Sequence, residues 1–225
     1  MTLRLSRSAT WLLFLALALL PAAARADPIR IFESAGPGPS EAHNLGYALF
    51  AGQFVGIRFP VIAPTEITQI GGHLFGAGAD ETIFGAIVRL SSASDLPDSA
   101  DLSTNDVLKA AVFHLSQPSR DFTAPLSLTV EPGWYAIVFG SGLFGATGSG
   151  AFGTRNPLNG PINGFVQSGG ILHPASYGTL GGDFGDPRVF VDGVPLTPVP
   201  EPGTLLLLGS GAAAVLGRRL RGRPR

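Results

Sequence analysis

Glycine and proline decide what this chain can become. Its 31 glycines and 19 prolines cut 225 residues into short runs. The apolar residues in those runs alternate or cluster as β-branched side chains, and no long stretch repeats every 3.6 residues. That pattern predicts an all-β fold. Strands are expected at Ile29 to Glu33, Tyr47 to Ala51, Gln53 to Phe59, Thr65 to Phe75, Ile83 to Leu90, Val107 to Leu115, Phe122 to Val130, Trp134 to Phe139, Ile171 to Tyr177 and Arg188 to Asp192.

The sharpest local reading concerns Leu126 to Val130, Glu131-Pro132-Gly133 and Trp134 to Phe139. Alternation puts Leu126, Leu128 and Val130 on one face, and the Pro-Gly step is a turn signal, so the two runs are expected to form a hairpin. In the second run Trp134, Ala136 and Val138 share one face while Tyr135, Ile137 and Phe139 share the other. Both faces are apolar, as in a strand buried between layers. Ten such strands predict a two-sheet antiparallel sandwich of jelly-roll type, with the strands near Ile29 and Val189 side by side.

The two ends differ from this middle. Arg4 and Arg7 precede an apolar stretch from Trp11 to Leu20, and Ala24-Arg25-Ala26 offers the small residues that a signal peptidase needs. Cleavage after Ala26 would leave Asp27 as the mature N-terminus. At the other end Val199-Pro200-Glu201-Pro202 leads into an apolar run over residues 203–217, closed by Arg218, Arg219, Arg221, Arg223 and Arg225. An apolar run followed by clustered arginines stops a chain in a membrane with the positive end in the cytoplasm. Fifteen helical residues reach only about 22 Å, against a hydrocarbon core of about 30 Å. The span is short for a permanent anchor. Pro200 and Pro202 hold Glu201 in extended geometry, a stiff shape that a protease can grip.

The Pro-Glu-Pro triplet, the glycine-interrupted apolar run and the arginine cluster, in that order, resemble a PEP-CTERM sorting signal, the tail recognised by exosortase in Gram-negative bacteria that make extracellular polysaccharide. The resemblance covers the last 27 residues. It implies transient anchoring in the inner membrane, processing by exosortase at or near the motif, and delivery to the outer surface or extracellular matrix. Pro132-Gly133-Trp134-Tyr135 and Phe139-Gly140-Ser141-Gly142 also resemble, more loosely, β-sandwich domains that precede such tails. No catalytic residues come with either likeness. The organisation expected is a signal peptide over 1–26, an exported sandwich over 27–194, a proline-rich stalk over 195–202, a short transmembrane helix over 203–217 and an arginine-rich cytoplasmic tail over 218–225.

Of the 15 basic residues, three precede Asp27 and five follow Pro202. The remaining seven face 15 acidic residues between Asp27 and Thr197, a net charge near -8. An acidic surface of this kind repels nucleic acid, so no nucleic-acid partner is expected. With no cysteine in the chain, the exported domain folds on its core alone, without disulfides or thiolate metal sites.

No chemistry stands out in the middle. His43, His73, His114 and His173 lie far apart, and none has a partner at metal-ligand spacing. There is no Gly-x-Ser-x-Gly elbow and no thiol nucleophile. Asp95, Asp98, Asp101 and Asp106, with Asn105, crowd one loop, but they lack the alternate-residue spacing of a calcium loop, and a solvated loop is the preferred reading. No metal, cofactor or catalytic residue is assigned. The Gly140 to Gly153 segment, with six glycines, reads as a long mobile loop able to carry a binding surface. Phe-Gly pairs recur at residues 75, 84, 139, 144, 152 and 184, and are read as buried aromatics beside turn glycines.

The expectation is therefore a non-catalytic, exported surface or matrix protein, processed by signal peptidase and exosortase. One alternative is a carbohydrate-binding module for extracellular polysaccharide, with Phe144, Phe152 and Tyr177 as stacking candidates. Another is a polysaccharide hydrolase, which needs two carboxylates facing one cleft.

Overall fold

A computed structural model of the protein describes residues 27–40, 46–153, 155–160, 162–177 and 187–196. Twelve strands and no helix lie among them: β1 (Ile29–Glu33), β2 (Ala48–Leu49), β3 (Gln53–Val61), β4 (Thr65–Gly76), β5 (Glu81–Leu90), β6 (Val107–Leu115), β7 (Arg120–Val130), β8 (Gly133–Gly140), β9 (Gly150–Phe152), β10 (Ile162–Ser168), β11 (Ile171–Tyr177) and β12 (Val189–Pro195). None of the described residues forms a helix long and apolar enough to cross a membrane. The N-terminal segment 1–26 and the apolar run 203–217 lie outside the described residues.

The strands build two antiparallel six-stranded sheets packed as a sandwich. In the first, β4 is the hub. It pairs with β7 from Thr65 to Leu74, with β12 from Thr65 to Gly72, and with β9 from Leu74 to Gly76. Beyond β12 lies β1, paired from Ile29 against Gly193 to Glu33 against Phe190, so the first and last strands are neighbours as expected. The second sheet runs β11-β10-β3-β8-β5-β6.

Two apolar layers follow from this order. Ile57, Phe59, Ile67, Ile70, Leu74, Ile83, Ile137, Phe139, Phe152, Val189 and Val191 fill the space between the sheets. Phe54, Phe84, Val88, Ala136, Val138 and Phe165, none of them from the first sheet, cover the outer face of the second. Central β8 is buried on both faces, as its sequence predicts. Leu96 and Leu102 from the β5–β6 loop and Leu143 and Ala146 from the β8–β9 loop close the outer layer.

Two sequence expectations fail here. The runs flanking Glu131-Pro132 are not a hairpin: β7 pairs with β4 in one sheet, while β8 pairs with β3 and β5 in the other. Hairpin turns that match strand twist need positive φ at a central residue, and proline is locked near -65°, so Pro132 splays the strands into an arch between sheets. The Tyr135 hydroxyl donates to the Glu131 carbonyl at 2.7 Å and pins that corner. The second failure concerns the Phe-Gly pairs. Gly85 lies inside β5, and Gly76 and Gly140 are the last residues of β4 and β8, whereas Gly145 does stand in a turn, at φ 87°.

Gly85 and Gly140 make room for aromatic rings, those of Phe113 and Phe54, while Gly76 lets β4 approach Leu115. The same device recurs at Gly56, where an added Cβ would sit 2.1 Å from the Phe165 ring. Phe165 itself is fully buried. Gly56→Ala should therefore cost about 2 kcal/mol of stability, the usual cost of overpacking a tight core, read as a lower urea midpoint. An unchanged midpoint would show that the ring can retreat freely.

Candidate functional site

Histidines and carboxylates gather at one place only among the described residues, and the structure uses them as a brace. Arg188, just before β12, is buried; its Nε and Nη2 donate to the Asp121 carboxylate at 3.0 and 2.9 Å, and Nη1 donates to Glu33 Oε1 at 2.5 Å and to the Ala35 carbonyl. His73 Nδ1 lies 3.3 Å from Asp121 Oδ1. Burial opposes ionisation of Asp121, but hydrogen bonds from His73 and Arg188 and the Arg188 charge outweigh it, holding the carboxyl well below the usual carboxylate range. The cluster ties β1, β4, β7 and β12 together. His73 is 2% exposed, and Gly153 closes over its ring, so its imidazole has no path to a substrate. His114 and His173 lie exposed on β6 and β11, away from it, and His43 is outside the described residues.

The acidic loop is also a structural device. Asp95 Oδ2 accepts from the Ser91 hydroxyl and amide at 2.5 and 2.8 Å, which lowers its pKa. Asp106 accepts from Asp98 N and Thr104 Oγ1 at 2.9 and 2.6 Å. Asp101 accepts from Ser103 N at 3.1 Å and its pKa is lowered as well, through Ser103 first. No group of three or more potential metal ligands converges among the described residues. Leu102, at φ 54°, is turned inward and buried, which is how this loop grips the sheet.

The expected stacking residues fare differently from one another. Phe152 is fully buried in β9, edge-on to Phe139, and so is excluded as a ligand platform. The glycine-rich segment is correspondingly not one long open loop, since Gly150–Phe152 pairs with β4 and β2. Phe144 is 41% exposed and lies edge-on to Phe84. Tyr177 ends β11, and its side chain lies outside what is described.

A cavity of about 250 Å³ opens where the second sheet leaves an edge unpaired. The β10–β3 ladder runs from Ser168 against Gln53 to Gly164 against Ile57, and does not reach Arg58. Past that point Arg58, Pro60 and Trp134 form one wall, Phe32 and Glu33 of β1 another, and Asn159, Ile162 and Asn163 the third. Arg58 is 8% exposed, donates from Nε to the Asp95 carbonyl at 2.7 Å, and stands over the Phe165 ring at 5.6 Å. Asn159 is fixed by its Nδ2 donating to the Glu33 carbonyl at 3.2 Å and by its amide donating to Ser34 O at 3.1 Å. Sequence reasoning passed over these residues. The available signals were a lone arginine in the apolar run Gln53 to Val61, and the Asn159-Gly160 and Asn163-Gly164 steps.

The remaining feature is the tail. Residues 198–221 match the PEP-CTERM protein-sorting motif. The chain carries an exosortase sorting signal. The match includes Val199, Pro200, Glu201 and Pro202 together with Arg218, Arg219 and Arg221. All of these, like Ala24 and Ala26 at the N-terminal side, lie outside the described residues. The PEP-CTERM motif implies an exported protein, held for a time in a membrane through its C-terminal region and processed by exosortase. No curated relative matches the chain. The motif begins at residue 198, and the last strand of the sandwich ends at Pro195, so the folded unit and the sorting signal are nearly contiguous.

Proposed function

We propose that this protein is a non-catalytic component of the cell surface or extracellular matrix of a Gram-negative bacterium, an acidic β-sandwich delivered by its PEP-CTERM tail. The match at residues 198–221 carries the reading. The domain's net charge near -8 fits a soluble exported unit. Signal peptidase acts after Ala26 and exosortase at or near Pro200-Glu201-Pro202. A non-catalytic role is supported by the cavity at the sheet edge, which has one carboxylate, Glu33, already ion-paired to Arg30 and Arg188 at 2.6 and 2.5 Å. Glycoside cleavage uses two carboxylates across the scissile bond.

Replacing Pro200, Glu201 and Pro202 by alanine should leave the protein in the inner membrane at its unprocessed C-terminal mass. Fractionation with intact-mass spectrometry reads both location and termini. A variant that reaches the same compartment at the same mass as the parent would sink the proposal.

A further inference from the structure

We propose that the cavity at the open edge of β3 binds one pyranose ring of a neutral glycan, with Trp134, Arg58, Asn159, Asn163 and Glu33 as its contacts. Size comes first. Pockets for drug-sized ligands span roughly 300 to 1,000 Å³, so about 250 Å³ suits a single small ring with its chain continuing outside.

The lining chemistry is the second argument. A sugar hydroxyl both donates and accepts, and neighbouring hydroxyls are best met by planar groups carrying two polar atoms. The cavity gathers four such groups: the Arg58 guanidinium, the Asn159 and Asn163 amides, and the Glu33 carboxylate. Trp134 is half-buried at the cavity wall, where the C–H face of a pyranose can lie on its indole.

Charge selects among sugars. Glu33 faces the cavity, and the arginines nearest it, Arg30 and Arg188, are matched by Asp192 and Asp121. Arg58 and Glu33 give the lining one charge of each sign, so nothing in the cavity recruits a uronate, and the acidic domain around it repels one, so neutral rings are favoured.

Preorganisation is the third argument. Asn159 is fixed to β1 at two points, and Arg58 is held by the Asp95 carbonyl, so little side-chain freedom remains to be lost on binding. The site differs from the stacking positions expected from sequence.

The test uses the purified full chain on immobilised neutral oligosaccharides of glucose, mannose and galactose, with oligogalacturonate beside them. The full chain should be retained on at least one neutral glycan and not on oligogalacturonate. Trp134→Ala should weaken retention at least tenfold. Asn163→Ala, an exposed position, should weaken it about fivefold, the loss of one net hydrogen bond, with an unchanged thermal melt. If Trp134→Ala does not fold, Asn163→Ala decides alone. No retention on any neutral glycan, preference for the oligouronate, or undiminished retention of folded variants overturns the assignment. The Pro200, Glu201 and Pro202 alanine variant keeps its retention, so a failure of sorting and a failure of binding are read separately.

Discussion

Phe139→Ala should cost this domain about 4 kcal/mol, the usual penalty for removing a fully buried phenylalanine. The ring, one residue before the end of β8, has 0% exposure. It meets Phe113 of β6 at 5.4 Å and Phe152 of β9 at 5.5 Å, so it joins the two sheets across the middle layer. Neighbouring strands on both sides fix its backbone, and the cavity left behind has little means of collapsing. For a domain of this size that loss lowers the melting temperature by roughly 8 to 16 °C. Differential scanning calorimetry would read it directly. A drop below about 3 °C would mean that the two sheets are not held through this ring.

The second large effect is expected at Arg188. Arg188→Met keeps the apolar stem beside Phe190 and removes the charge that satisfies Asp121 and Glu33. Breaking a buried ion pair costs about 3 to 5 kcal/mol. Both acids here are about a third exposed, and water will re-solvate them in part, so about 2 to 3 kcal/mol is expected. The pH dependence separates this from a packing defect. Asp121 has a folded-state pKa below its unfolded value of about 3.9, so its contribution is complete above that value and is lost progressively as pH falls from there through the lower folded pKa. The stability gap between parent and variant should therefore be widest near pH 7 and narrow below about pH 4. Urea unfolding at pH 7, 4 and 3 tests this, and a constant gap across that range would assign Arg188 a purely steric role.

How far the sequence discloses the fold depends on what each residue signals. β1, β6 and β11 have the bounds expected from their apolar runs, because turn residues flank each of them. The burial of β8 on both faces is equally plain from Trp134 to Phe139. By contrast, the partner of β8 is a property of distant segments, and Pro132-Gly133 signals a change of direction without saying into which sheet. β10 escaped because Asn163 and Gly164 interrupt its apolar pattern. The Gly169-Gly170 step after it, with φ of 60° and 79°, is the hairpin signal that would have found it. β9 is three residues long and stands inside a glycine-rich stretch that reads as loop. The sorting tail needs no folding to be read, since its order of proline, apolar run and arginine is local. The cavity at the sheet edge is the opposite case. Arg58, Trp134, Glu33 and Asn163 come from four strands, and nothing local announces that their ladders stop short of one another.

The position of β12 has a mechanical consequence. It is the last strand before the sorting motif at residues 198–221, yet it lies inside its sheet, hydrogen-bonded to β4 on one edge and to β1 on the other. A pull on the C-terminal end of β12 directed along the strand shears two ladders at once instead of peeling one bond at a time. Rupture under force is set by the rate of unfolding, not by equilibrium stability alone. The sorting motif thus follows a strand that its sheet holds on both edges, one well placed to withstand such a strain.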